Sequence, residues 1–325
     1  MRYAMTGASG FVGGVLARLL LARGHQVNAL VRRPYRAQAL AGAGVELVPG
    51  DLADDAALDE LCADVDGLFH VAGWYHLGQR DRRVGERVNV DGTRSVLAAV
   101  RRAGTPKLVY TSTLAVNSDT RGAVVDESYR FTGRHISVYD ATKARAHADV
   151  EAAAADGLPA VTVMPGLVYG PGDSSQTGEL LRQTVAGHRP LAPAGGQVCW
   201  GHVEDIAAGH LLAMERGAVG ESYMLAGPAA SLAHGLSLIA ELADTPGPSV
   251  LPTWLVRATA TLTSAVGRVA PLPAAYHPET LRSSLATYLG RSDQAIEQLG
   301  WSCRSLRHGL GDLVDASRSE PLEER

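Results

Sequence analysis

Short, mostly apolar runs alternate with longer segments whose apolar positions recur every three or four residues, and the alternation persists through the first half of the chain. The runs at 1–6, 26–31, 45–48, 68–71, 107–110 and 160–164 read as strands, and the segments at 15–22, 84–103 and 137–155 read as helices. The strand, helix and strand within residues 1–31 close a βαβ unit. In the second half the pattern predicts a helix at 177–187, a strand at 198–203 and a strand at 221–225 that returns to the main sheet. From residue 231 it is helical, with Pro/Gly breaks at 245–252 and 271–273, a helix from 291 to 301 and another at 306–316. No period of solenoid length repeats.

The first strand runs directly into Thr6-Gly7-Ala8-Ser9-Gly10-Phe11-Val12-Gly13, and a helix follows. Gly7 and Gly10 permit a tight turn and close approach of backbone to a pyrophosphate. Gly13 lets the helix pack on the strand, and Ser9, Phe11 and Val12 place amide donors at the helix N-terminus. The spacing is GxxGxxG, in the strand, turn and helix context that dinucleotide binding requires. The second strand ends at Val31-Arg32-Arg33 rather than in an acid that would bond a ribose 2′-hydroxyl. A guanidinium suits a 2′-phosphate, so NADP(H) is favoured over NAD(H), with Arg32 the first choice as its ligand and Arg33 the second. Asp51, beside Leu52 after the third strand, is placed to accept from an adenine amino group. The small residues Val71, Ala72 and Gly73 let a dinucleotide lie across the end of the fourth strand. His70 reads as a packed strand histidine, and Trp74, Tyr75 and His76 as bulky groups lining a substrate pocket.

Tyr139 and Lys143 stand four residues apart in the predicted helix at 137–155, so their side chains share a face. An ammonium near a phenol favours phenolate, which makes the tyrosine an acid/base. The fifth strand ends in Thr111-Ser112-Thr113, hydroxyls placed to hold a substrate carbonyl. Asn89 and Thr93 share a face of the helix at 84–103. Glu204 and Asp205 read as a helix N-terminal carboxylate pair.

Composition narrows the classes. The 325 residues carry a net charge of −4, which gives no electrostatic case for nucleic acid. Three cysteines, far apart and odd in number, support neither a disulfide frame nor a metal site and point to a reducing compartment. With no secretory leader read at the N-terminus, a cytoplasmic location is expected. The apolar stretch 254–272 is interrupted by Arg257 and Arg268, so no membrane span is expected and the stretch reads as a helix packed on the substrate side. The acidic end, 320–325, reads as a frayed tail.

In this order the glycine turn, hydroxyl cluster and Tyr/Lys helix resemble the extended short-chain dehydrogenase/reductase family, from residue 1 to about 301. The resemblance implies an α/β fold, a Rossmann-type doubly wound parallel sheet with a smaller, mostly helical C-terminal substrate-binding part. It divides the chain into a dinucleotide-binding domain at 1–168, with 198–226 returning to it, a substrate-binding part at 169–197 and 227–317, and a tail at 318–325. It implies that Thr113 positions the substrate oxygen, Tyr139 transfers the proton, Lys143 lowers the tyrosine pKa and holds the nicotinamide ribose, and Asn89 supports the lysine side of the site. Ser112 is the neighbouring alternative for the hydroxyl role. Thr111 and Ser112 would border the cofactor, Pro165 and Val168 would contact its nicotinamide end, and Tyr169 would face the substrate. A homodimer through the helices at 84–103 and 137–155 is also implied.

Within that family the chain looks most like the dihydroflavonol-reductase-like branch, which includes hopanoid-associated sugar epimerases. The carrying stretches are Val31-Arg32, Phe69 to Tyr75 and Pro165 to Pro171. Sugar-nucleotide epimerases usually carry an asparagine in the last stretch, and residues 164–169 contain none. The leading reading is a reductase of a small-molecule ketone or aldehyde. The alternatives are an epimerase or dehydratase that keeps its cofactor bound, and a nucleotide-sensing protein, which would be expected to lack the Tyr/Lys pair.

Overall fold

A computed structural model describes residues 1–75, 82–266 and 272–319. His76, Arg268 and the tail from residue 320 lie outside the described residues. The first half runs β1 (Arg2–Thr6), α1 (Phe11–Ala22), β2 (Gln26–Val31), α2 (Gln38–Gly42), β3 (Glu46–Pro49), α3 (Asp55–Cys62), β4 (Gly67–His70), α4 (Arg82–Gly85), α5 (Gly92–Ala103), β5 (Leu108–Thr111), α6 (Val138–Ala155) and β6 (Ala160–Pro165). The second half runs β7 (Leu167–Tyr169), α7 (Gln176–Val185), β8 (Leu191–Pro193), β9 (Gln197–His202), α8 (Val203–Arg216), β10 (Ser222–Leu225), β11 (Ala229–Ala230), α9 (Leu232–Ala243), β12 (Ser249–Leu251), α10 (Thr253–Val266), α11 (Pro278–Ser283), β13 (Thr287–Tyr288) and α12 (Leu306–Ser319).

Seven parallel strands form the main sheet in the order β10-β6-β5-β4-β1-β2-β3. Side chains alternate across it, as strand geometry requires. In β1, Tyr3 and Met5 join the layer of α1 and α8, while Ala4 faces the layer of α3 and α5. Both faces are covered, which explains why the strands are apolar at successive positions. The order reverses between β1 and β4, the switch point beyond whose strand ends ligands bind in doubly wound sheets.

The second half supplies β10 to the main sheet and packs α8 on α1. By contrast β9 pairs with β7, β11 and β13 in a separate small sheet, so of residues 198–226 only α8 and β10 join the layers of the main sheet. The stretch after β6, read from its prolines and glycines as loop, contains β7. The helix predicted at 84–103 is interrupted by a π-helical turn at Glu86–Asp91, which carries Asn89. One inserted residue per turn redirects side chains without altering local composition, and such turns recur at functional sites.

Candidate active site

The glycine turn is built for close contact. Gly7 has φ +80°, and a Cβ on it would lie 2.5 Å from the Ala72 amide nitrogen. A Cβ on Gly13 would run into the Gly7 carbonyl. Gly10 caps α1 with no side-chain hydrogen bond and no acid stands in the first turn, so the first amides remain open to an anion. Gly10 donates to the Gly7 carbonyl at 2.9 Å, which closes the turn. Ser9 and Gly10 are exposed, and Phe11 and Val12 are half-buried. This cradle, which side chains would fill, fits a dinucleotide pyrophosphate.

The floor of the site is a directed hydrogen-bond chain. The Ala72 amide donates to Thr6 Oγ1 at 3.3 Å, and Thr6 pairs with His70 Nδ1 at 2.7 Å. His70 Nε2 meets Thr93 Oγ1 at 3.0 Å, and that hydroxyl donates to the Asn89 carbonyl at 2.6 Å. Thr93 has spent its proton there, so His70 carries its proton on Nε2 and accepts from Thr6 at Nδ1. Burial pushes His70 down to about 3, so it is neutral throughout the physiological range and acts as a spacer.

Above this floor the tyrosine, threonine and lysine converge. Ser137 caps α6 by accepting from the Asp140 amide at 3.0 Å. That start places Tyr139 in the first turn and Lys143 one turn on. Burial pushes the Tyr139 phenol well above its usual value, while a hydrogen bond with Thr113 pulls the other way. Tyr75 meets the Tyr139 ring edge to face, with centroids 4.8 Å apart. Lys143 donates to the Thr111 carbonyl at 2.6 Å and lies 4.5 Å from the centre of the Tyr110 ring. Burial brings its pKa down to about 7. One of the three ammonium donors is thus taken by Thr111, and Lys143 is not among the groups that act on the Tyr139 phenol in this arrangement.

These elements have counterparts in known proteins. The NAD dependent epimerase/dehydratase family matches residues 3–226. The chain belongs to that family. A relative from Synechocystis sp. bearing the name dihydroflavonol 4-reductase is 35% identical over 95% of this chain and 92% of its own. A relative from Stigmatella aurantiaca, a 4-hydroxy-2-methyl-3-oxo-4-farnesyl-3,4-dihydroquinoline-1-oxide ketoreductase, is 36% identical over 97% of this chain and 96% of its own. The solved structure of gox2253 superposes with a TM-score of 0.86 at 31% identity, covering 98% of each chain. The protein is thus an NAD(P)-dependent enzyme of the extended short-chain dehydrogenase/reductase type.

Within this epimerase/dehydratase-family site several expected residues take other places. The hydroxyls of Thr111 and Ser112 are turned away, to His210 Nε2 and His147 Nδ1, each at 2.8 Å. Only Thr113 of the three engages Tyr139. Asn89 does not touch Lys143. Its Oδ1 accepts from the Trp74 amide at 2.7 Å, and its Nδ2 donates to the Trp74 carbonyl and to Thr142 Oγ1. It therefore clamps the end of the β4 crossover to the face of α6 beside Lys143. Trp74 is buried against Gly85 and forms packing rather than pocket wall, whereas Tyr75 is half exposed.

Tyr169 is 1% exposed and stacks edge to face on Trp200, so the expected substrate contact is a core residue of the C-terminal part. Val168 is half-buried in β7 opposite Gly201, and Pro165 ends β6, buried. Arg32 and Arg33 are both exposed just past β2. Asp51 is exposed with Oδ1 accepting from the Ala53 amide, and Leu52 packs near Gly92. Glu204 and Asp205 open α8 and pair with Arg304, as a helix N-terminal pair would.

Reading the residues one at a time missed Asp140, the immediate neighbour of Tyr139. It is 2% exposed, accepts from Ser137 Oγ at 2.6 Å and from the Tyr288 hydroxyl at 3.1 Å, and lies near Glu279. Glu279 in turn accepts from the Val138 amide at 2.8 Å, so α11 and β13 both reach the start of the α6 helix. Burial raises the Asp140 carboxyl to about 6, with the Ser137 and Tyr288 bonds opposing it. For an acid whose folded pKa is raised, the contribution to stability is full below the unfolded value near 3.8 and is lost as pH rises through about 6. Asp140→Asn is therefore expected to stabilise the protein at pH 8 by up to about 3 kcal/mol and to do little at pH 4. Urea unfolding at both pH values checks this.

Proposed function

We propose that this protein is an NADP(H)-dependent oxidoreductase that reduces a ketone or aldehyde, or oxidises the corresponding alcohol, with Tyr139 as proton donor or acceptor. The observation that carries this reading is the interaction of the Thr113 hydroxyl with the Tyr139 phenol, with Lys143 one turn along α6 reaching the end of β5. A nicotinamide cofactor held over the glycine cradle would supply the hydride. Thr113 orients the carbonyl oxygen and stabilises the negative charge that develops on it. Tyr139, held protonated by its burial, gives its proton to that oxygen, leaving alcohol and a phenolate that solvent reprotonates. Lys143 would hold the nicotinamide ribose, and its charge in that position would favour the phenolate. Asn89 acts through Trp74 and Thr142 and keeps the crossover and α6 in register. Arg32, then Arg33, would take the 2′-phosphate that distinguishes NADP(H) from NAD(H).

An apolar carbonyl substrate suits Tyr75, whose half-exposed ring stands against Tyr139, and the name of the Stigmatella aurantiaca ketoreductase supports the same class. In this reading 1–168 binds the dinucleotide together with α8 and β10 of the 198–226 segment, and 169–197 with 227–317 binds substrate. It also holds that the enzyme is a cytoplasmic homodimer, the two copies meeting through α5 and α6.

The test is loss of reduced-nicotinamide absorbance with NADPH and with NADH over a panel of ketones and aldehydes. Turnover with a carbonyl, faster with NADPH, is the expected result. A protein that consumes no cofactor with any carbonyl yet releases tightly held NAD(P) on denaturation would instead be the epimerase or dehydratase.

A further inference from the structure

The large apolar side chains left in solvent are not scattered. Thirteen are exposed among the described residues, and seven of them lie on β8, β12, α10 and the turn after it. Isolated exposed apolar residues need no explanation, but such a concentration does. In α10, Val256 and Ala260 are buried on the side that packs toward α11. Trp254, Leu255, Ala258, Leu262, Ala265 and Val266 are all exposed. At helical spacing these six cover about a third of the circumference, with no polar residue among them. A helix in a globular protein turns its bulky stripe inward, whereas α10 turns its smaller face inward and leaves Trp254 and Leu262 each 69% exposed. Val250 and Leu191 are exposed on the paired strands β12 and β8, of which β12 runs directly into α10, and Tyr276 is exposed in the turn after α10.

Charge decides what fits this face. The chain carries a net charge of −4, yet residues 245–286 contain three arginines, Arg257, Arg268 and Arg282, and one acid, Glu279. Glu279 is buried and engaged by the Val138 amide, so it offers no negative charge at the surface. Arg257 is exposed at the edge of the apolar stripe, and Arg282 is held beside it by its bond to Ser264 Oγ at 2.8 Å. A twofold contact between two copies would bring this patch against itself, with Arg257 and Arg282 facing their own copies. An anionic lipid surface supplies the missing negative charge, receives the aliphatic side chains, and suits tryptophan and tyrosine at its boundary.

We propose that the outward face of α10, with β12 and β8 beside it, docks peripherally on an anionic lipid surface. No described helix is long and apolar enough to cross a membrane, so the association is of the kind that lies on a bilayer. The docked face is joined to the site. After α10 the chain forms α11, whose Glu279 reaches the Val138 amide, one residue from Tyr139. An apolar substrate dissolved in a bilayer would be presented to the C-terminal part directly. The docking itself does not depend on which reaction the site performs.

The experiment is flotation of the full chain with vesicles of phosphatidylcholine alone, or of phosphatidylcholine and phosphatidylglycerol in equal parts, at low and high salt. The wild type is expected to float with the anionic vesicles at low salt and to be released by salt. Leu262→Glu and Trp254→Ser are each expected to weaken binding at least about tenfold, while Val219→Glu, an equal change at an exposed site elsewhere, binds as wild type. These side chains are exposed, and an unchanged thermal midpoint verifies that each variant folds. Absence of flotation by the folded wild type overturns the proposal, as does binding that Leu262→Glu leaves intact. Equal binding to neutral vesicles overturns it as well. Light scattering that finds a dimer dissociated by Leu262→Glu, without vesicle binding, assigns the face to a second copy instead.

Discussion

Replacing Tyr139 with phenylalanine is expected to lower kcat for carbonyl reduction by about 10²- to 10⁴-fold while changing NADPH affinity little. The substitution removes one oxygen and keeps the ring that meets Tyr75 edge to face, so the pocket wall survives. What disappears is the proton donor. Without it the alkoxide left by hydride addition must take its proton from water, and Thr113 alone stabilises the charge. The effect should therefore appear in kcat rather than KM, since the phenol matters most when charge has developed. The pH profile offers a second measure. Burial holds the phenol protonated to high pH, so the wild-type reduction rate should not fall on the alkaline side through loss of the Tyr139 proton below pH 9. Burial brings Lys143 down to about 7, so cofactor affinity is expected to weaken as pH rises through that range and the ammonium is lost. A steady-state profile of kcat and of the KM for NADPH, for wild type and Tyr139→Phe, separates the two groups. Undiminished turnover by Tyr139→Phe would remove the tyrosine from the reaction.

The parts of the site that follow from local geometry were legible in the chain. Tyr139 and Lys143 share a helix face because of the helical period alone, and Gly7, Gly10 and Gly13 follow a strand and open a helix in an order that short-range sterics enforce. The family assignment and the parallel sheet rest on the same local signals repeated along the chain. What was not legible depends on pairings between distant segments. Thr111, Ser112 and Thr113 are adjacent hydroxyls with equivalent local signals, yet His210 and His147 claim the first two, from positions 99 and 35 residues away. Tyr169 follows a proline-glycine turn and reads as a loop aromatic. Pairing of β7 with β9 buries it on Trp200, and no feature of residues 165–173 announces that partner. The π turn around Asn89 is hidden for a different reason: a slipped hydrogen bond leaves the apolar spacing almost unchanged, so the asparagine looks like one more residue of a regular helix. Asp140 carried one usable signal. An acid three residues after a serine at a helix start suggests a cap, though only Tyr288 and Glu279, more than 130 residues away, make it a buried group.

Substituting Arg32 and Arg33 together with alanine is expected to raise the KM for NADPH by about a hundredfold or more and to leave the KM for NADH within about threefold. Both arginines sit just past β2, at the strand end where a dinucleotide's adenosine ribose lies in a doubly wound sheet, and both are exposed. Neither guanidinium has a side-chain hydrogen bond or ion pair among the described residues, so their removal disturbs little in the folded chain. A charge-assisted hydrogen bond contributes about 1.5–3 kcal/mol, which corresponds to roughly ten- to a hundredfold in affinity for each arginine that engages the phosphate. The single variants then rank the two. If Arg32 is the main ligand, Arg32→Ala loses most of the preference and Arg33→Ala a smaller share. Competition by 2′-phosphoadenosine nucleotides should collapse in parallel, because it reads the same contact without the nicotinamide. Equal losses with NADPH and NADH would mean that the pair acts on the fold of the β2 end. An unchanged ratio would leave them as solvated surface charges and return the choice of cofactor to NAD(H).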